Sequence, residues 1–207
     1  YPEKSFWLFL MILVWGLRLG IHILRRNHGK PEDFRYANWR RKWGKKEPLI
    51  AFFKIFMLQG SVMFALSLVF IAVFWVKDPG ISPLNVAGGV LFATGLLTES
   101  IGDVQLTEFL KKRKDKEEIL ATGLWKHSRH PNYFGESLIW WGLWLFSFND
   151  AFQFILILIP LGMTLLLRYG SGVPMLEEKY REKEAFRKYA EKTPVFVPFI
   201  GRKGLNK

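Results

Sequence analysis

The chain has 207 residues, 50% hydrophobic and 16% aromatic, with 30 Lys and Arg against 18 Asp and Glu for a net charge of +12. It holds no cysteine, which excludes disulfides, thiolate zinc sites and a cysteine nucleophile. Its long apolar runs and the lack of any short repeat exclude a disordered or collagen-like chain.

A hydrocarbon core of about 30 Å needs roughly 20 helical residues to cross it. Five runs have that character: Ser5–Leu24, Ala51–Val76, Pro83–Gly102, Tyr133–Phe148 and Ala151–Tyr169. Only Asn149 and Asp150 separate the last two, which predicts an antiparallel hairpin. Backbone amides in lipid need internal partners, and the alternation of a β-barrel is missing, so the runs are predicted to be helices. The expected fold is therefore all-α, a multi-pass membrane protein of about five spans plus surface amphipathic helices, in one domain over 1–207. The first run lacks the small-residue cleavage site of a signal peptide, and the opening Tyr1 leaves room for residues ahead of it.

The charge is concentrated in three segments. Arg25–Pro48 holds nine Lys and Arg, Asp103–Pro131 seven, and the chain after Gly170 nine, with net charges of +6, +2 and +4. Five alternating spans place all three on one face, which the positive-inside rule makes cytoplasmic or its equivalent, together with the C-terminus. Topology and anionic headgroups account for the basic balance, so nucleic acid is not an expected partner and membrane lipid is.

Charges at membrane depth are costly and raise functional questions. Arg18 and His22 share one face of the first predicted helix, and Glu99 and Asp103 share one face of the third. Lys54, Gln59, Glu136 and Arg168 join them, and all but Gln59 fall within about two turns of the cationic side. Snorkelling is the simpler account of Lys54. Carboxylates are too short for it, so Glu99, Asp103 and Glu136 point to a polar cavity open on the cationic side.

The densest chemistry is Thr122–Glu136, which reads Thr-Gly-Leu-Trp-Lys-His-Ser-Arg-His-Pro-Asn-Tyr-Phe-Gly-Glu. Pro131 favours an extended residue before it and a helix after it, predicting a helix start near Asn132. A helix start attracts anions, and Arg129 and His130 stand beside it. Upstream, Lys111, Lys112, Arg113, Lys114 and Lys116 crowd a helical stretch. Alone, that run is more often a solvated or lipid-facing surface; with Asn132, Tyr133, Glu136 and Arg168 it favours a polyanionic ligand. His127, His130 and Glu136 offer metal-ligand types, but their spacing matches no zinc signature, so no metal is expected. No nucleophile elbow accompanies the histidines. After Pro174, Leu176, Tyr180, Phe186 and Tyr189 sit among many charges, as in a helix on a membrane surface, and Thr193–Phe199 is expected to fold back on the bundle.

In these motifs the chain resembles the steroid 5-alpha-reductase superfamily, and most closely the membrane-protein subgroup long described only as a domain of unknown function. The likeness rests on Trp15-x-x-Arg18-Leu19, Gly29-Lys-Pro-Glu-Asp-Phe-Arg-Tyr36, Leu58-Gln-Gly60, Gly102-Asp-x-Gln-Leu-x-x-Phe109, Thr122–Glu136, Leu167-Arg168 and Ser171-Gly-x-Pro-x-Leu-Glu177. It implies an NADPH site in the cytoplasmic half of the bundle and hydride transfer to a conjugated C=C of a lipophilic, steroid-like or isoprenoid enone. By that resemblance the cofactor meets Asn27, Lys30, Asp103, Lys111, Arg129, His130, Asn132, Tyr133, Glu136 and Arg168. The phenol that polarises the carbonyl in the steroid enzymes falls at about Trp15 or Gly16 here, so either another group such as His22 or Tyr36 replaces it or the chain is not a steroid reductase. Two other readings share parts of the pattern. One is an S-adenosylmethionine-dependent methyltransferase of the isoprenylcysteine or phospholipid kind, with the Arg-His-Pro-x-Tyr-x-Gly core. The other is a non-catalytic subunit that keeps the fold within a membrane assembly.

Overall fold

The computed structural model describes residues 3–29, 40–57, 59–61, 63–64, 67–68, 71, 80–149, 151–170 and 172–200. The chain resolves into two compact units, Tyr1–Asp78 and Pro79–Lys207. No strand occurs among the described residues.

The N-terminal unit is built on α1, Glu3–Asn27. Glu3 in its first turn and Arg25 and Arg26 in its last complement the helix dipole. At 25 residues it extends about 37 Å, more than a bilayer core requires. Phe6, Phe9, Leu17 and Leu24 are exposed along it, an arrangement suited to lipid and costly in water. After a 3₁₀ turn at Gly44–Lys46, the short α2, Glu47–Ala51, runs into a π-helical segment, Phe52–Met57. Eleven of the 26 residues of the expected second span, Ala51–Val76, lie outside the described residues.

The C-terminal unit opens with α3, Pro83–Lys112. Ser82 and Asn85 form a capping box, and Pro83 holds the first helical position, where its missing N–H costs nothing. Thr94 and Thr98 return their hydroxyls to the carbonyls of Val90 and Thr94, so neither presents an unmet donor to lipid. A loop containing a 3₁₀ turn, Gly123–Lys126, leads to α4, Pro131–Ser147. The chain returns through a 3₁₀ stretch, Ala151–Ile157, then α5, Leu158–Leu165, and a π-helical turn, Leu166–Gly170. Two shorter helices follow, α6, Val173–Tyr180, and α7, Glu184–Lys192.

Among the described residues, three stretches are long and apolar enough to cross a membrane: Glu3–Asn27, Pro83–Lys112 and Gln153–Tyr180. The chain is thus an all-helical membrane protein. They contain the predicted first and third spans and most of the fifth. The predicted fourth is the 17-residue α4, ten of whose residues are buried. It is enclosed because α3 packs along one side and α5 returns along another.

Glycines set the α3–α4 approach. Gly88, Gly95 and Gly102 recur every seventh residue on α3, as do Gly135 and Gly142 on α4. A Cβ at Gly88 would lie 2.3 Å from the Phe146 nitrogen, one at Gly95 2.6 Å from the Gly135 oxygen, and one at Gly142 2.4 Å from the Phe92 nitrogen. The two backbones therefore touch, and the close contact recovers dispersion energy where lipid offers no hydrophobic drive. Asn85 fixes one end of this antiparallel pair, its Nδ2 donating to the carbonyls of Phe146 and Phe148 at 2.9 Å. The α4–α5 hairpin is tied by polar side chains. Ser137 and Thr164 hydroxyls meet at 2.6 Å, Trp141 Nε1 donates to Thr164 at 3.1 Å, and Trp144 Nε1 donates to the Gln153 carbonyl at 3.3 Å.

Gly135→Ala places a methyl group 2.5 Å from the Glu99 nitrogen, where only backbone could yield. It is expected to cost at least the roughly 1–3 kcal/mol typical of overpacking. Gly162→Ala, in open space on α5, is the control and should be neutral or slightly stabilising. Apparent melting temperatures in one detergent at one scan rate compare the two.

Candidate functional site

The N-terminus of α4 gathers the polar residues of the C-terminal unit. Its approach is set by the preceding loop. Gly123 has φ +59° and packs against Gln105, whose Oε1 accepts the Leu124 N–H at 3.0 Å. Trp125 then points its Nε1 at the Gly102 carbonyl, 3.1 Å away. The loop is thereby held on the last third of α3, and α4 begins at Pro131, one residue before the expected start.

A strap from the C-terminus closes over this loop. Arg129 N donates to the Pro194 carbonyl at 2.8 Å, and Ser128 Oγ to the Phe196 carbonyl at 2.7 Å. Tyr189 donates its phenol to the Trp125 carbonyl. Leu167, Val173 and Phe196 form the apolar cluster beneath, with Tyr133 and Phe134 against it. Thr193–Phe196 does pack back on the bundle, as expected for Thr193–Phe199.

Within this enclosure Arg129 is 2% and His130 5% exposed. Glu177, from α6, brings one carboxylate oxygen to 3.2 Å from both Arg129 Nε and His130 Nε2. His130 stacks on Tyr133, ring centroids 5.7 Å apart. Asn132 donates its Nδ2 to an Asp103 oxygen at 3.1 Å, joining α3 to the same helix start. A carboxylate can only accept, so this contact fixes which end of the Asn132 amide faces it.

Burial pushes the Arg129 guanidinium below its ordinary range; Glu177 and Tyr189 pull it back, and Arg168 adds to the lowering. Burial also pushes the His130 ring down, against the hydrogen bond and charge of Glu177, with Arg129 and Arg168 reinforcing the fall. Arg168, half-buried in the π-helical turn, is thus a second cation felt at this helix start. Tyr189 is raised by burial, opposed by Arg129. In this enclosure Nε and Nη1 of Arg129, Nδ1 of His130 and Oδ1 of Asn132 are buried with no hydrogen-bond partner among the described residues, the Glu177 oxygen near Nε making an ion pair without hydrogen-bond geometry. Polar atoms left in that state cost free energy unless something else meets them.

Of the expected site residues, the structure brings Asp103, Arg129, His130, Asn132 and Tyr133 together, with Arg168 close enough to act on two of them. Glu136 is half-buried one turn into α4. Lys111 is exposed in the last turn of α3, about 12 Å along the helix from Asp103. His22 is half-buried and Asn27 exposed, both on α1 of the other unit. Lys30 and Tyr36 lie outside the described residues. No group of three His, Asp or Glu among the described residues could hold a metal ion. No local pattern in the sequence gives an individual role to Glu177, or to Tyr189, Ser128 and the carbonyls of Pro194 and Phe196. The signal for Glu177 is its place in the Ser-Gly-x-Pro-x-Leu-Glu motif.

A neutral buried His130 links stability to pH. Its folded pKa lies below the unfolded value of about 6.5, so between the two the unfolded chain binds more protons. Its contribution is complete above about pH 6.5 and is lost as pH falls through the folded value. The apparent melting temperature of the wild type should therefore fall more steeply than that of His130→Asn between about pH 7 and pH 5. Parallel curves would show that His130 does not titrate this way.

No curated protein and no solved structure matches the chain. The family model described as "Protein of unknown function (DUF1295)" matches residues 2–193. That match takes in α1 and the whole Thr122–Glu136 segment, so the chain is a member of the DUF1295 family.

Proposed function

We propose that this protein is an NADPH-dependent membrane reductase, related to the steroid 5-alpha-reductases, acting on a conjugated C=C of a lipophilic enone. One observation carries the reading: a buried guanidinium nitrogen, Arg129 Nη1, has no acceptor, and it stands at the start of α4, where the charge of Arg168 is also felt. An anionic oxygen there would meet the orphan donor, offset the repulsion between two guanidinium groups and lie at the positive end of the helix dipole.

The residues fit a phosphorylated dinucleotide in kind. Arg129 and Arg168 would take phosphate oxygens, with Lys111 and Lys112 at the end of α3 as outer cations. Tyr133, stacked with His130, would offer a flat surface, and the Asp103–Asn132 pair would orient the amide of Asn132 toward the ligand. Glu136 and Asn27 are assigned to the same cofactor by family resemblance, as is Lys30. When bound, the dinucleotide supplies the hydride. The C-terminal strap excludes water from the helix start, which strengthens each fixed charge there. Negative charge develops on the enone oxygen as hydride arrives, so a proton donor must face it. By the family resemblance alone, His22 and Tyr36 are the candidates for that donor.

Saturating NADPH is expected to raise the apparent melting temperature of the purified protein, since a ligand bound only by the folded state stabilises it. Arg129→Gln should weaken that binding roughly ten- to hundredfold, the range for about 1.5–3 kcal/mol from a charge-assisted hydrogen bond. Tighter binding of S-adenosylmethionine than of NADPH would overturn the reductase reading in favour of a methyltransferase. Binding of neither would favour a non-catalytic subunit.

We place the basic segments and the C-terminus on the cytoplasmic side or its equivalent. Because the chain has no cysteine, a single Lys114→Cys variant reports the face directly. An impermeant maleimide should label it in inside-out vesicles and spare it in right-side-out ones.

A further inference from the structure

Glu177 has a consequence for what His130 can bind. Its oxygen lies 3.2 Å from His130 Nε2 and also from Arg129 Nε. A carboxylate paired with a guanidinium accepts hydrogen bonds and donates none, so the imidazole nitrogen facing it carries the proton. Burial keeps the ring neutral, with one N–H only. That hydrogen is spent on Glu177. The other nitrogen, Nδ1, is then a lone pair, buried and unmatched by any donor. Asn132 Oδ1, two residues on, is a second unmatched acceptor, its amide already turned by Asp103. Arg129 Nη1 is an unmatched donor at the same helix start.

We infer that Glu177 is the positioning residue of this site: it fixes His130 as the Nε2–H tautomer, so the ligand presents an N–H or O–H donor to His130 Nδ1 and an anionic oxygen to Arg129. The site is two-signed, and an all-acceptor group such as a phosphate is excluded from the His130 position. A carboxamide N–H, an amine N–H and a hydroxyl each supply such a donor. On the proposed reductase reading all three occur in NADPH, as the nicotinamide amide, the adenine amine and the ribose hydroxyls. The fixed tautomer itself does not depend on that reading.

The full chain with ¹⁵N-labelled histidine rings, in lipid nanodiscs near neutral pH, provides the test. His130→Asn assigns the His130 resonances among the four histidines. In the wild type, Nδ1 is expected to resonate as an unprotonated nitrogen and Nε2 as a protonated one. Glu177→Gln keeps an oxygen acceptor and should retain the pattern; Glu177→Ala should lose it and give a tautomer mixture. A wild-type Nδ1 that carries the proton overturns the inference with no variant needed, as does a folded Glu177→Ala protein with an unchanged spectrum. NADPH that stabilises the protein should also shift the Nδ1 resonance; stabilisation without any shift overturns the ligand half of the inference. The reduced dinucleotide with a carboxylate in place of the carboxamide tests the amide, since loss of the shift identifies it and retention assigns the contact to a hydroxyl or the adenine amine. If the tautomer is fixed and NADPH does not bind, the inference about Glu177 stands and the reductase reading falls.

Discussion

Backbone contact between α3 and α4 is the constraint on which the C-terminal unit rests. Two helices whose carbonyls and amides come within contact distance cannot slide or rotate without a clash, so the glycines of the seam define one register. In that register Gly102 sits against Asn132, and Asp103, the next residue, receives the Asn132 amide. The same register lets Trp125 reach the Gly102 carbonyl and hold the intervening loop. A membrane protein gains little from burying leucine against lipid-like surroundings. Small residues that allow close approach do the positioning that a hydrophobic core does in water.

The second constraint is electrostatic. A buried guanidinium and a buried imidazole beside a second cation would be unfavourable alone. Glu177 answers Arg129 and occupies one nitrogen of His130, while the ring escapes further cost by staying neutral. The strap from α7 and the segment after it serves the same balance, because it satisfies backbone and hydroxyl groups of Ser128 and Arg129 that lie away from water. The C-terminal helices are therefore part of the site.

Much of this was legible in the sequence because it follows from composition and local rules. Helical spans follow from apolar length, the α4 start from Pro131, and the polar helix start from Arg129, His130 and Asn132 following one another along the chain. What was not legible depends on long-range pairing. The seven-residue recurrence of Gly88, Gly95 and Gly102 is visible in the letters, yet its meaning needs the matching Gly135 and Gly142 on a partner helix. Glu177 is one of five carboxylates after Gly170, and nothing local separates it from Glu178, which is exposed. Tyr189 looked like one more interfacial aromatic, and only the fold puts its hydroxyl under the Trp125 carbonyl. The enclosure of α4 was hidden too, since a lipid-facing helix and a helix buried among others share one composition.

The wide turn Leu166–Gly170 stands between α5, which is fastened to α4, and α6, which carries Glu177. A π-type turn accommodates one residue more than the α-helical repeat, and each residue of helix amounts to about 100° of rotation. Deleting a single codon there would regularise the coil while keeping its ladder of bonds intact. It would also shorten the path to α6, which begins anew at Val173 after non-helical Gly172, and so draw Glu177 out of place against the imidazole. Segment length, independent of which amino acids fill it, is thus an inherited specification at this point. Substitutions can drift across the turn more freely than insertions or deletions can.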